Sequence, residues 1–419
     1  MLNFSILVLL STVFLLQAEP AGQESAKSDD VVSVKVVDPK TIDAAIDQSV
    51  EILIKRQEGP ADSEWPYEGV YRVRGSGPRE FIRGGRIIPM GYRVGGTSIA
   101  GRALLRTIDE EADPARAEAL ERARTFVVES TGDKSMRLDY SGGYDVRCWG
   151  YIYGLRFLLA MKEAGLVPEA DMEAHDEAMA FYLEGIKVQE IPGSGGWNYA
   201  RRGPLDAPSA ASPFMTAPAL QALFEAQAAG MEVDPEWVSR GLKAMKFSRT
   251  SEGHIAYAAS RPTREDPAMM PGAIGRMVAV ETVRSQAGEE NDEALRVALA
   301  AFFKHWNELE KRRSQNGTHD PPYGVAPYYF FYGHGYAAEA IGELPEAERP
   351  AWREKLLDRL FEVREEDQAW NDRVFARSKA YGTSIALMVL TQPEAAPPAR
   401  WSAPEPKVDT KVETTPVTK

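Results

Sequence analysis

The sequence predicts an all-α protein, a closed α/α toroid in which six helical hairpins form an outer and an inner ring of helices. Three observations support this fold class: amphipathic helices recur along the chain, nearly apolar helices alternate with them, and aromatic loops at regular spacing separate the two kinds. An open α-solenoid is the alternative arrangement of the same hairpins. Closure is favoured because an open stack needs polar terminal repeats, and the first and last repeats resemble the central ones.

The first helix of each pair has one apolar face. In the first repeat Ile42, Ile46, Val50 and Leu53 recur at three- and four-residue spacing, which places them on one stripe of a helix. The segment 352–361 repeats the pattern with charged residues on the opposite face. Such helices are expected to form the outer ring.

The second helix of each pair is small and apolar nearly all round. Segments 216–229, 273–283 and 382–390 show this composition. A helix that is apolar on every side is expected to be covered on every side, so these segments are predicted to form the inner ring.

An aromatic residue in each intervening loop gives the repeat count. The six loop aromatics recur on average about every 61 residues, within the range of helical repeats. They are Trp65, Tyr140, Trp197, Tyr257, Tyr323 and Trp370.

The chain ends differ in composition from the repeats. Ile6 to Leu16 is an apolar run followed by the small residue Ala18, which predicts a secretory signal cut near Ala18 and therefore an exported protein. The predicted domain organisation is a signal peptide at 1–18, a linker at 19–40, the toroid at 41–392 and a disordered Pro/Thr-rich tail at 393–419.

Charge and hydropathy exclude two classes of partner. The formal net charge of −13 disfavours binding to phosphate backbones, so no nucleic-acid partner is expected. No further apolar run reaches 18 residues, so no membrane span is expected in the mature chain. Cys148 is the single cysteine, which rules out an internal disulfide.

Several loops resemble a known repeat. The segments 55–69, 193–202 and 365–373 are similar to the Gln/Gly/Trp repeats of the prenyltransferase and squalene-oxidase family, and 328–342 and 378–390 resemble its inner-helix openings. The resemblance implies the toroid of the terpenoid cyclases and protein prenyltransferases, with chemistry on an isoprenoid in the lumen.

The catalytic motifs of that group are missing. The sequence has no D-x-D-D motif and no C-G-E-Q thioester, and Asp145, Cys148 and His334 match the zinc ligands of the prenyltransferases poorly. The main interpretation is therefore an exported toroid of uncharacterised activity that binds a ligand or partner in its central cavity. A shared fold alone does not establish an activity.

The residues that open each inner helix are the candidate site, because those loops meet at one mouth of the lumen. Asp145 and His334 are the candidate catalytic pair, a carboxylate facing an imidazole across the mouth, which a metal ion could bridge. No residue is assigned as a metal ligand, and the cofactor is unknown. The predicted cavity-lining residues are Arg93, Arg147, Trp149, Tyr332, Tyr336 and Tyr381.

Two enzymatic alternatives remain open. One is an isoprenoid cyclase or transferase, and the other a carbohydrate-processing hydrolase or lyase, which needs two carboxylates across a cleft. The available carboxylates are Asp145, Asp206, Glu281, Glu339 and Asp372. The ligand is therefore expected to be hydrophobic, a saccharide or a protein. Arg102, Arg156 and other charged residues in the inner helices predict a partly polar lumen.

Overall fold

The computed structural model describes residues 35–67, 82–83, 86–106, 108, 113–140, 146–199, 209–258, 270–313, 315–372 and 374–403. These residues form thirteen α-helices and one antiparallel two-residue ladder, β1 (Ile82–Arg83) with β2 (Arg86–Ile87). The outer helices are α1 (Pro39–Lys55), α3 (Pro114–Glu129), α5 (Met172–Gln189), α7 (Pro235–Phe247), α9 (Asp292–Lys304), its continuation α10 (Trp306–Arg313), and α12 (Arg349–Glu362). The inner helices are α2 (Met90–Leu105), α4 (Arg147–Glu163), α6 (Pro213–Ala228), α8 (Ile274–Gln286), α11 (Tyr329–Glu343) and α13 (Ser378–Leu390).

The inner helices close into a ring. Each packs against the next along the chain, from α2 to α4, α6, α8, α11 and α13, and α13 packs back against both α2 and α1. The closed toroid of six outer–inner hairpins is thereby confirmed, and the open solenoid is excluded. None of the described helices is long and apolar enough to cross a membrane.

Three outer helices begin with the same dipeptide, Asp-Pro. Asp38, Asp113 and Asp234 each accept a hydrogen bond from a backbone N–H in the first turn, and proline follows as the first helical residue. The carboxylate satisfies an N–H that the helix cannot, and the fixed φ of proline suits this position. These caps define where α1, α3 and α7 begin.

A buried tryptophan joins the two helices in three of the six hairpins. Its indole N–H donates to a carbonyl at the end of the outer helix, and its backbone N–H donates to a threonine hydroxyl in the first turns of the inner helix. The sets are Trp65 with Leu53 and Thr97, Trp197 with Ile186 and Thr216, and Trp370 with Leu360 and Thr383.

The other three loop aromatics do not repeat this contact. Tyr257 and Tyr323 are 39% and 41% exposed, and Tyr140 lies against the guanidinium of Arg147. The aromatic spacing therefore gave the right number of hairpins, although only half of the six positions are structurally equivalent.

In two of these three hairpins a glycine before the threonine, Gly96 or Gly382, allows this close approach. A Cβ at Gly382 would lie 2.4 Å from the carbonyl oxygen of Trp370, whereas a Cβ at Gly342 in α11 would meet nothing nearer than 3.7 Å. We expect Gly382→Ala to lower the free energy of unfolding by about 2 kcal/mol through overpacking. Gly342→Ala is the matched control and should be neutral or slightly stabilising, because alanine favours helix. Denaturant unfolding of the two variants checks this, and equal stabilities would contradict it.

The segment 393–403 is ordered. Trp401 packs against Phe224, its backbone N–H donates to the carbonyl of Gln286, and Ser402 exchanges two hydrogen bonds with Gln227. The predicted start of disorder at residue 393 is therefore wrong, because one aromatic anchor holds a polar segment against the ends of α6 and α8.

Residues 404–419 lie outside the described part of the chain, as do the predicted signal peptide and residues 19–34 of the predicted linker. The last residues assigned to the linker, 39 and 40, belong to α1.

Candidate functional site: the two ends of the inner ring

Aromatic side chains gather where the inner helices begin, here the amino-terminal mouth. Tyr67, in the loop before α2, lies at the centre of the group. Its ring centroid is 4.9 Å from that of Tyr381, 5.5 Å from that of Tyr92 and 5.7 Å from that of Trp149. The first turns of α2, α4 and α13 supply the three neighbours. The mouth is therefore packed with buried aromatic rings from adjacent hairpins.

A second aromatic group crosses the lumen from the other side. Phe214 of α6 stacks at 4.3 Å on Tyr332 of α11, and Tyr332 lies 4.7 Å from Tyr336. Burial raises the pKa of both tyrosines well above the usual value, so their hydroxyls stay protonated as hydrogen-bond donors. Tyr332 and Tyr336 thus line the lumen on the side opposite Trp149.

The mouth contains one fully buried carboxylate from the last loop. Asp372, immediately before the final inner-helix segment, has no exposed surface, and its Oδ2 accepts a hydrogen bond of 3.0 Å from the Tyr67 hydroxyl. This hydrogen bond fixes the orientation of the carboxylate. The Asp372 carboxylate therefore lies in a fixed position beside the aromatic group around Tyr67.

Both arginines predicted to line the cavity are already engaged. Arg93 forms a two-pronged ion pair with the buried Glu64, at 2.5 and 2.6 Å. Arg147 is buried and donates to the carbonyl of Arg137, with Tyr140 against its guanidinium. These contacts fix the loops that precede α2 and α4.

His334 does not lie in the mouth. Its ring packs against Phe302, Trp306 and Phe330, between α11 and the outer helices α9 and α10. Nδ1 lies 2.8 Å from the carbonyl of Phe330, and Nε2 accepts the indole N–H of Trp306 at 2.9 Å. Because both ring nitrogens are used, His334 is a neutral structural residue, which does not fit the prediction of a catalytic imidazole facing Asp145.

The partner assigned to His334 cannot be placed. Asp145 lies outside the described residues, as does Asp206. Within the part of the chain that is described, no group of three or more His, Cys, Asp or Glu side chains is placed to hold a metal ion. Cys148 is buried in the core, as expected of a small apolar residue.

Burial of His334 predicts a pH dependence of stability. Burial lowers its pKa to about 4, whereas an exposed histidine in the unfolded chain titrates near 6.5. Between these values the unfolded chain binds more protons than the folded protein does. The contribution of His334 to the free energy of unfolding is therefore fully present above pH 6.5 and is lost as the pH falls towards 4. We expect wild type to lose about 2 kcal/mol more than His334→Gln between pH 7 and pH 5, in urea titrations. The control is His254→Gln, which removes a half-buried histidine beside Glu252; an equal loss in wild type and His334→Gln would contradict the assignment.

The other remaining carboxylates lie away from the mouth. Glu281 is held by Arg249, Arg284 and Asn291 in a groove of about 880 Å³ between α7 and α9, on the outer side of α8. Glu339 lies at the far end of the lumen, where its Oε2 accepts a 2.6 Å hydrogen bond from Gln221. Of the carboxylates considered from sequence, Asp372 is therefore the one that the described residues place at the mouth.

At that far end the lumen ends in a charged cavity. The cavity measures about 60 Å³ and is lined by residues of five inner helices, α2, α4, α6, α11 and α13. Arg102, Arg156 and Glu339 are among its lining residues, so the partly polar lumen expected from charged inner-helix residues is present at this end. Two other charged residues of the inner helices, Glu281 and Arg276, lie outside this cavity. Arg276 donates hydrogen bonds to the carbonyls of Ile255 and Gly272.

Two features of the site were missed in the sequence. Tyr67 follows the loop tryptophan of the first repeat, and its pairing with Asp372 joins residues 305 positions apart. Gln221 and Glu225 lie on a helix that is otherwise apolar, and that contrast was the available signal.

Comparisons with known proteins give a fold and no family. No family model matches the chain, and no curated protein matches it. Among solved structures, unsaturated glucuronyl hydrolase from Streptococcus agalactiae shares 11% identity, covers 85% of this chain and 93% of its own, with a TM-score of 0.55. A family 76 glycoside hydrolase (mannosidase) from Bacteroides thetaiotaomicron shares 12% identity over 84% of this chain and 99% of its own, with a TM-score of 0.49.

The match to the glucuronyl hydrolase corrects the resemblance to prenyltransferases and squalene cyclases. That structure is an α/α-toroid carbohydrate-active enzyme, and the assignment of this chain to the isoprenoid group is wrong. The sequence resemblance has a structural origin. The Gly, Thr and Trp residues that produced it form the contact that joins an outer helix to an inner helix. The loop pattern therefore reports the ring architecture and not the chemistry within it.

Proposed function

We propose that the protein is a carbohydrate-processing α/α toroid, a hydrolase or lyase that holds a saccharide at the amino-terminal mouth. The observation that carries the proposal is the buried Asp372, oriented by Tyr67 within the aromatic group of Tyr92, Trp149 and Tyr381. A solved protein with the same ring bears the name of a hydrolase of unsaturated glucuronyl groups, which favours this reaction class.

The aromatic group supplies the binding surface. The face of an aromatic ring is apolar and electron-rich, and it packs against the C–H face of a pyranose while the sugar hydroxyls stay hydrated or hydrogen-bonded. Trp149 and Tyr381 belong to neighbouring inner helices, so a saccharide chain lying across the mouth would meet both. Such a ligand needs no large apolar cavity.

Asp372 supplies the base. In hydrolysis an ionised carboxylate takes a proton from water as the water oxygen attacks the anomeric carbon, while an acid protonates the departing glycosidic oxygen. In elimination the same carboxylate takes the proton from the carbon beside a uronic carboxyl group, a C=C bond forms to the next carbon as its bond to the glycosidic oxygen breaks, and an acid protonates that oxygen. The hydrogen bond from Tyr67 holds the carboxylate in one orientation for either reaction.

Asp145 is proposed as the second carboxylate. It immediately precedes Val146, which ends the loop before α4, and Trp149 in the first turn of α4 contacts Tyr67. Export after cleavage near Ala18 is part of the same proposal, and it would bring the enzyme to polysaccharides outside the cytoplasm.

The test is a turnover screen of the purified chain beginning at residue 19. Neutral mannans and uronic-acid oligosaccharides are incubated with the protein, with new reducing ends reporting cleavage and the absorbance of a new C=C bond distinguishing elimination from hydrolysis. The proposal expects cleavage of at least one of the two classes. Saturable binding without cleavage would leave a non-catalytic saccharide-binding protein, and neither binding nor cleavage would overturn the proposal.

A further inference from the structure

Five charged side chains converge at the carboxyl-terminal end of the inner ring. Arg102 and Arg106 come from the end of α2, Arg156 from α4, Glu225 from α6 and Glu339 from α11. Three cations and two anions give the cluster a charge of +1. Four separate inner helices contribute to this cluster, so the ring fold places the five charges close together at this end of the lumen.

Most of the cluster is mutually satisfied. Arg156 donates to both oxygens of Glu225 at 2.8–3.1 Å, and Arg102 donates to the same carboxylate at 2.9 Å. Gln221 bridges the two halves: its Oε1 accepts from Arg156 at 3.0 Å, and its Nε2 donates to Glu339 at 2.6 Å.

Arg106 is the exception. Among the described residues its guanidinium makes no hydrogen bond and no direct ion pair; burial lowers its pKa, and the charge of Glu339 partly offsets this effect. The end of α2 accounts for a cation at this position, because helix carbonyls attract positive charge. It leaves the guanidinium N–H donors of this half-buried side chain without an acceptor among the described residues.

The unpaired donors face a defined space. Arg106 and Tyr153 both line the cavity of about 60 Å³, and the Tyr153 hydroxyl also lacks a hydrogen bond among the described residues. Burial raises the pKa of Tyr153 to about 12, so the hydroxyl remains a donor at neutral pH. Ile99, Ile385 and Val389 form an apolar part of the same wall. The volume equals that of about two water molecules, too small for a sugar ring.

We propose that this cavity binds a small monocarboxylate of acetate size. The guanidinium of Arg106 matches the two oxygens of a carboxylate, Tyr153 donates to one of them, and the methyl group lies against the apolar wall. The bound charge of −1 neutralises the excess of the cluster. The site lies at the opposite end of the ring from Asp372 and does not depend on the proposed saccharide chemistry.

Calorimetric titration of sodium acetate into the full mature chain, against sodium chloride at equal ionic strength, tests this site. We expect saturable binding of acetate to wild type, weakened at least about tenfold in Arg106→Gln, because charge-assisted hydrogen bonds are lost. Lys243→Gln removes one exposed cation elsewhere and is the matched control, expected to bind within about twofold of wild type. Benzoate, which exceeds the cavity, should not bind.

A folding check accompanies the titration. Arg106→Lys keeps the charge without the planar fork and should recover part of the lost affinity, whereas an unfolded variant would lose binding altogether. Asp372→Asn should bind acetate as wild type does, so the two proposals fail separately. No saturable acetate binding to wild type, or equal affinity in Arg106→Gln and Lys243→Gln, would overturn the proposal.

Discussion

Replacement of Asp372 by asparagine is expected to lower kcat about 10³-fold on the saccharide that the wild-type protein cleaves. A positioned acid or base contributes about 10²- to 10⁴-fold to such reactions. Asparagine keeps the size of the side chain and an oxygen that accepts from the Tyr67 hydroxyl, so the buried loop should stay folded. The measurement is initial rate against substrate concentration, with thermal unfolding as the check on folding.

Two further variants separate chemistry from packing. Tyr67→Phe keeps the ring beside Trp149 and Tyr381 and removes only the hydrogen bond, so kcat should fall about tenfold while KM changes little. Asp176→Asn makes the same substitution on outer helix α5, where Asp176 pairs with Lys162, and should leave kcat unchanged. If Asp372→Asn retained wild-type kcat with intact folding, Asp372 would not be the base.

Replacement of Arg156 by methionine is expected to lower the free energy of unfolding by about 3 kcal/mol. Burial by itself raises the pKa of Glu225, but the charges of Arg102 and Arg156 outweigh it and hold the pKa below its usual value. Loss of Arg156 removes three hydrogen bonds from that carboxylate and leaves Arg102 alone to compensate it. Breaking a buried ion pair by removing one partner is costly for this reason.

The contrast is with an ion pair at the surface. Arg240 donates two hydrogen bonds of 2.7 Å to Glu190, yet the Arg240 side chain is 36% exposed. Arg240→Met should therefore cost less than about 1 kcal/mol in the same denaturant titration. The double variant Arg156→Met with Glu225→Gln should recover much of the loss, because no unpaired charge remains. Equal costs for the two single variants would show that the inner network contributes no more than a surface pair.

The fold was predictable because its determinants are local. One-sided apolar stripes, apolar second helices and a repeated loop aromatic each follow from whether a helix is covered on one side or on all sides. On the outer-helix side the tryptophan contact links residues only 10–12 positions apart, as in Trp370 with Leu360. The same local origin explains the mistaken resemblance, since the contact serves any ring built from such hairpins.

The site was less predictable because its partners are distant in sequence. A histidine between glycines suggests an open loop, but Gly333 and His334 lie within α11, where a Cβ on Gly333 would meet the ring of Phe302 at 2.9 Å. The sequence could not show that Trp306 would supply a donor to His334. The pairing of Tyr67 with Asp372 likewise depends on ring closure, which brings the first and last loops together.

A crystal structure of Asp372→Asn with a cleavable oligosaccharide tests the central claim most directly. The account predicts one sugar ring packed on Trp149 or Tyr381, with a glycosidic oxygen or anomeric carbon beside the substituted side chain at position 372. Electron density for the saccharide elsewhere on the molecule, with the amino-terminal mouth empty at saturating concentration, would contradict it.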